Sequence, residues 1–169
     1  GLEALKVRQQ CLAPDHPAVA GSLDNIGGTY YAQGNYPEAL KRQQQALKIR
    51  TKRLGTDHPD VAASLNNIGV TYLKVENYPD ALNHFEQALA IHTKSDRADH
   101  PTTGTSHVNL GVTYLKSKDE TNGWKQLQQG CKILLARLGA GHPQTIATVK
   151  TMLHLGPHHS GQLIAQHCL

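Results

Sequence analysis

Three sets of side chains in this chain of 169 residues are of types that do chemistry or binding. Near the end stand His154, His158, His159, His167 and Cys168, donors of the kind that hold zinc. Along the chain, histidine precedes proline four times, at His16-Pro17, His58-Pro59, His100-Pro101 and His142-Pro143, spaced 42 residues apart each time. In the same register stand Asn25, Asn67 and Asn109. An asparagine amide is donor and acceptor at once, so it can pair with a peptide backbone whatever the side chains on that backbone.

The first set lacks the geometry of a metal site. Leu155-Gly156-Pro157 breaks any helical spacing among its members, and no carboxylate stands with them. The four His-Pro histidines follow the repeat, too far apart to share an ion, and read as turn residues. The chain carries no phosphate-binding glycine loop, no GxSxG, no HExxH and no paired acids in matching register. Three cysteines at irregular positions give neither a disulfide framework nor a CxxC site. The expectation is therefore a protein that is not an enzyme and needs no metal and no cofactor.

What must position the asparagines is a repeat. Thr29, Thr71 and Thr113 keep the same period, as do Tyr30, Tyr72 and Tyr114, and a fixed period in this range marks stacked repeats. Each unit opens at His-Pro, with proline at the first helical position, where its missing N–H costs nothing, and with Asp57 or His58 able to cap the free amides. An apolar stripe follows, Val19, Leu23, Ile26, Tyr30 in one copy and Val61, Leu65, Ile68, Tyr72 in the next, at the spacing of one helix face. Gly27, Gly69 and Gly111 lie beside that stripe, where a neighbouring helix backbone must pass close. Turns at Gln33-Gly34-Asn35 and Val75-Glu76-Asn77 lead to Tyr36-Pro37 and Tyr78-Pro79, which start second helices carrying Ala39, Leu40, Ala46, Leu47 and Ile49, then Ala81, Leu82, Phe85, Ala88, Leu89 and Ile91. The third unit drifts: Gly123 and Gly130 take the alanine positions and Trp124 a leucine position, which should loosen the pair or mark a specialised surface. The fourth keeps Ile146, Val149 and Met152 in the pattern.

The reading divides the chain into 1–16, the second helix of a truncated preceding repeat; 17–58, 59–100 and 101–142, three repeats; and 143–169, a partial, divergent fourth, together one array. Hydrophobic residues make up 38% and aromatic ones only 5%, so the core is built of Ala, Leu, Ile and Val, as close helix packing prefers. The net charge of +4 has no home in a stripe. Lys+Arg against Asp+Glu runs 6 to 3, then 3 to 6, then 5 to 2 over the three repeats, and this alternation argues against nucleic acid. No apolar run approaches a membrane span, and no signal peptide is present; a soluble, reducing, cytoplasmic setting is expected.

These residues resemble the tetratricopeptide repeat, whose pattern is W-x2-L-G-x2-Y, then A-x3-F, then A. Ile68-Gly69-x2-Tyr72, Ala81-x3-Phe85 and Ala88 fit it, with Leu65 in the tryptophan position. Ile26-Gly27-x2-Tyr30, Ala39 and Ala46 fit in the copy before, with Gln43 departing, and Leu110-Gly111-x2-Tyr114 fits in the third, with His107, Gly123 and Gly130 departing. The 42-residue period exceeds the usual ~34. With the openings and closings of each unit, it is similar to the kinesin light chain type of repeat. The resemblance implies an all-α fold, a right-handed superhelical solenoid of antiparallel helix pairs, whose first helices line a concave groove that binds peptides. It also implies that Asn25, Asn67 and Asn109 are the groove asparagines, with Thr151 in the fourth copy.

Around them, Asn66, Val70, Leu73 and Lys74 in one helix and Val112 and Lys116 in the next complete a mixed apolar and basic groove. It would suit a protein or peptide segment with an apolar anchor and acidic residues. For the kinesin light chain type, the resemblance implies adaptor segments with tryptophan among acidic residues. Two other roles stay open: the asparagines could hydrogen-bond between adjacent helices and lock the array, and the repeats could be a spacer or a self-assembly module stacking through open helical ends as a homo-oligomer. The threonine row should bond back to its own helix. Cys131 is expected in the core and His107 as a partly buried packing residue.

Overall fold

The computed structural model describes residues 13, 15–95 and 98–156. They form seven helices and, among the described residues, no strand: α1 Pro17–Ala32, α2 Tyr36–Leu54, α3 Pro59–Lys74, α4 Tyr78–Lys94, α5 Pro101–Lys116, α6 Glu120–Leu138 and α7 Pro143–Leu155. Two compact units divide the chain, residues 1–91 and 92–169. Residues 1–12 and 14 of the expected preceding second helix, and 157–169 of the expected fourth repeat, lie outside the described residues.

Every first helix begins in the same way. His16, His58, His100 and His142 have extended backbones, and the Nδ1 of each accepts the N–H two residues on, at 3.1, 3.1, 3.3 and 3.2 Å. So histidine, not Asp57, caps α3, and proline occupies a first-turn position that needs no amide. The second helices are capped by Asn35, Asn77 and Asp119, whose side-chain oxygens accept the N–H three residues on. The turns between first and second helices demand a left-handed residue, filled by Gly34 (φ 77°), Glu76 (φ 61°) and Lys118 (φ 69°). Helices α2 and α6 end at Gly55 and Gly139, both at positive φ.

In the unit 1–91, Val19, Ala20, Leu23 and Ile26 of α1 bury against Ala46 of α2, while Val61, Ala62 and Leu65 of α3 bury against Ala88 and Ile91 of α4. Gly69 is the notch under Phe85: a Cβ there would stand 2.7 Å from its ring. At Gly27 the neighbours are Gln43 Cγ at 3.0 Å and the Ala39 carbonyl oxygen at 3.3 Å. The recurrent glycine thus answers the side chain on the second helix as much as its backbone.

In the unit 92–169, Leu127, Cys131 and Met152 form the buried cluster, with Val108, Val112, Leu115, Trp124 and Val149 packed on it. Here α5 and α6 meet glycine on glycine. A Cβ on Gly130 would fall 2.7 Å from the Gly104 carbonyl oxygen, and one on Gly111 would fall 2.8 Å from that of Gly123. The glycines at the alanine positions therefore bring the two helices together, contrary to the expected loosening. Ile146 also departs from the sequence pattern. It takes the position of Ala20 and Ala62, yet is 41% exposed, as Leu153 is 50% exposed at the position of Gly27 and Gly69. Thr145, Thr148 and Met152 are the residues α7 buries.

An ion pair ties the start of a first helix to the end of the second helix that follows it. Asp15 meets Lys52 at 2.8 Å and also Arg53; Asp99 meets Arg137 at 3.1 Å.

Candidate partner-binding faces of the first helices

Helix α1 presents a face of small residues. Asn25 and Gly28 are exposed, and a Cβ at Gly21 or Gly28 would meet nothing within 4 Å. On α3, Asn67 and Lys74 are exposed, while Asn66, Val70 and Leu73 are half-buried. In the second unit, Asn109 and Val112 are half-buried on α5 and Lys116 is exposed. Val112 also packs on the Leu127–Cys131–Met152 cluster, so it serves the core as well as the surface. On α7 the matching residue is Thr151, half-buried, its hydroxyl donating to the Ala147 carbonyl at 2.9 Å.

The threonines hold these faces in order. Thr29, Thr71 and Thr113 donate to the carbonyls of Asn25, Asn67 and Asn109, one turn back, at 2.9, 3.0 and 2.7 Å. The asparagine amides themselves have no hydrogen-bond partner among the described residues.

Bracing between repeats falls to other side chains. Gln43 is 5% exposed, and its amide oxygen lies 2.9 Å from the Thr71 hydroxyl, joining α2 to α3. Arg50, from α2, contacts Asp24 of α1 and Ser64 of α3 with a single guanidinium nitrogen. Both charged groups are largely enclosed, with side chains 17% and 13% exposed. Burial pushes the Asp24 carboxyl above the usual carboxylate range, against the pull of Arg50, because removing a carboxylate from water costs more than one shared guanidinium returns. The sequence gives little notice of this bridge: Asp24 stands beside Asn25 on α1, but its partner is 26 residues away on another helix.

His107 occupies the position of Leu23 and Leu65, half-buried, with Nδ1 2.6 Å from the Gln126 side-chain oxygen. Desolvation holds its pKa below the ordinary imidazole value. Among the described residues, no three His, Cys, Asp or Glu side chains gather as a metal site would need. Of the terminal histidine and cysteine cluster only His154 is described, on α7. Among the described residues no helix is long and apolar enough to cross a membrane.

Comparison with known proteins follows the architecture. No curated protein matches the sequence. Among solved structures, a protein of Podosopora anserina, described as a kinesin light chain of nearly identical TPR-like repeats, is 23% identical, with 96% of this chain and 79% of that one aligned and a TM-score of 0.75. BtubC (BKLC) from P. vanneervenii is 19% identical at a TM-score of 0.77, over 94% of this chain and 62% of that one, so this chain spans less than two thirds of BtubC. The N-terminal domain of stress-induced protein-1 from C. elegans aligns over 80% of this chain and 94% of that one, at 16% identity and a TM-score of 0.58. These likenesses establish an all-α repeat fold of the kinesin light chain-like type. The tetratricopeptide repeat family model matches residues 2–52, 19–94 and 60–121, which together cover most of the chain, and the chain belongs to the tetratricopeptide repeat family.

Proposed function

We propose that this chain is a non-enzymatic protein-binding scaffold or adaptor that takes extended partner segments along the exposed faces of its first helices, in a cytoplasmic setting. Tetratricopeptide repeats mediate protein–protein interaction as a family. The observation that carries the finer reading is the state of the asparagines. Asn is a poor helix former, yet Asn25, Asn67 and Asn109 recur mid-helix, with amides that no described neighbour uses. Their threonines and the Gln43 and Arg50 bridges already supply the local order. An extended segment advances ~3.3 Å per residue, so a helix face one asparagine wide addresses one or two of its peptide groups. Val70 and Leu73 would take an apolar side chain, and Lys74 and Lys116 acidic ones.

A peptide array probed with the wild-type chain and with the Asn25→Ala/Asn67→Ala/Asn109→Ala variant tests this, once circular dichroism shows both folded. Loss of defined peptides in the variant supports the reading; an unchanged pattern sinks it. The second reading, self-assembly, has one observation in its favour: Ile146 and Leu153 put apolar surface on α7. It predicts concentration-dependent sedimentation of the wild type, and none from an Ile146→Ser/Leu153→Ser variant.

A further inference from the structure

A cleft of about 310 Å³ opens on a face other than those of the first helices, between the turn before α5 and the outer side of α6. It is lined by Asp99, Gln129, Lys132, Ile133, Ala136 and Arg137. Gln129, Lys132 and Ala136 follow one another at helical spacing, so they share one face of α6. Ile133 is buried and supplies an apolar floor. Arg137 gives one edge of its guanidinium to Asp99 at 3.1 Å. Lys132 and Gln129 are exposed, and among the described residues neither has a hydrogen-bond or ion-pair partner.

The other unit carries the same arrangement with one residue changed. Two repeats earlier, the same positions hold Asp15, Gln45, Lys48, Ile49, Lys52 and Arg53. There Lys52 reaches Asp15 at 2.8 Å beside Arg53, and the carboxylate is shared between two cations. In the second unit the residue at the Lys52 position is Ala136, a methyl group, and Asp99 keeps Arg137 alone. Every other position retains its residue type. Replacing the lysine by alanine leaves room where its side chain would lie and leaves two cations, Lys132 and Arg137, around one carboxylate, a local charge of +1.

We propose that this cleft is a carboxylate-binding site that receives a glutamate side chain of a protein partner. A single positive excess matches a monoanion. The Lys132 ammonium and the Gln129 amide are donors suited to carboxylate oxygens. Ile133 and Ala136 offer an apolar wall to the methylene stem that glutamate carries and that phosphate lacks. The volume lies at the small end of ligand-binding clefts, enough for one side chain rather than a whole cofactor.

The test uses the full chain, isotope-labelled, titrated with the capped peptide acetyl-Gly-Leu-Glu-Leu-Gly-amide and with its glutamine counterpart, read by amide chemical shifts. The expected result is saturable shifts at 129–137, about fivefold weaker binding of the glutamine peptide and of the glutamate peptide to Lys132→Gln, as one partly exposed charge contact gives. Ala136→Glu, which cancels the local positive charge with a good helix former, is expected to keep the fold and abolish the shifts. Equal binding of the two peptides, shifts untouched by Ala136→Glu, no shifts in this segment, or acetate and phosphate binding as tightly as the peptide would each overturn the proposal. Shifts confined to the first helices would also overturn it, while leaving the reading of those faces standing.

Discussion

The α3–α4 pair and the α5–α6 pair meet the same packing requirement with opposite means. In the first, one large side chain is set into one notch: Phe85 is fully buried over Gly69, and the alanine positions remain Ala81 and Ala88. In the second, the large residue is only Leu127, and the missing volume is taken up by approach of the backbones, with Gly104 and Gly111 on α5 facing Gly130 and Gly123 on α6. A helix pair can thus keep its density either by filling or by closing. The two solutions differ in what breaks them: the filled pair is sensitive to deletion, the closed pair to addition.

Deletion in the filled pair should have the largest effect. Phe85→Ala removes a fully buried ring whose Gly69 notch cannot collapse, and should cost about 3–5 kcal/mol. Gly130→Ala adds one methyl group where the Gly104 carbonyl would stand 2.7 Å away and should cost about 1–3 kcal/mol. The control is Gly27→Ala: its neighbours, Gln43 Cγ at 3.0 Å and the Ala39 carbonyl oxygen at 3.3 Å, stand farther off, and the ~1 kcal/mol helix preference of alanine over glycine offsets the milder crowding, for a net change near zero. Urea unfolding followed by circular dichroism reads all three. If Gly130→Ala and Gly27→Ala behave alike, the distinction between filled and closed pairs is wrong.

Mild acid should separate the two units with opposite signs. His107, in the unit 92–169, has its pKa lowered by burial, so the unfolded chain takes up the proton first. Its stabilising effect is present above the unfolded value of ~6.5 and is lost as pH falls through the folded one. Asp24, in the unit 1–91, is raised by burial, so the folded chain takes up the proton first, and stability rises as pH falls from above its folded value towards ~3.9. Trp124 is the sole tryptophan and belongs to the second unit, where its ring lies against Gly156, so its fluorescence reports that unit alone. Between pH 7 and 5 the Trp124 melting temperature should fall by a few degrees. His107→Leu, the residue of the earlier units, should flatten the dependence. An equal fall in the His107→Leu variant would assign the acid response to other groups.

Most of this architecture is legible in the sequence because it repeats. The His-Pro starts, the asparagine and threonine rows and the alanine positions recur at one period, and each local feature needs only its own neighbours to form. What the sequence conceals lies across helices. Arg50 reads as one more cation on a surface helix until Asp24 and Ser64 are placed beside it. Gly123 and Gly130 look like losses of packing until the facing Gly111 and Gly104 show a closer approach. Ile146 fits the apolar stripe by type, but its position is the one that earlier units give to a small residue, and size at that position decides exposure. The candidate faces were legible as positions, since period alone marks Asn25, Asn67 and Asn109. The Asp99 cleft was not, because it depends on an alanine replacing a lysine at one position in one unit.

The smallest effect concerns the turns that join each first helix to its second, where the first repeat departs from the other two. All three turns use a left-handed residue, but only the first gives it glycine; Glu76 and Lys118 hold φ of 61° and 69° with a Cβ in place. A left-handed residue with a side chain costs about 1–2 kcal/mol, and glycine avoids that while adding about 0.4–1 kcal/mol of unfolded-chain entropy. Glu76→Gly and Lys118→Gly should therefore each stabilise by on the order of 0.5 kcal/mol, and Gly34→Ala should destabilise by about 1 kcal/mol. The three variants in one thermal series, with Trp124 reporting the second unit and circular dichroism the whole, decide the matter. A Lys118→Gly gain seen by Trp124 but no Glu76→Gly gain would mean that the first unit's turn is held by contacts rather than strained. Asn77, which pairs with Asp80 at 2.7 Å just beyond Glu76, is then the residue to replace next.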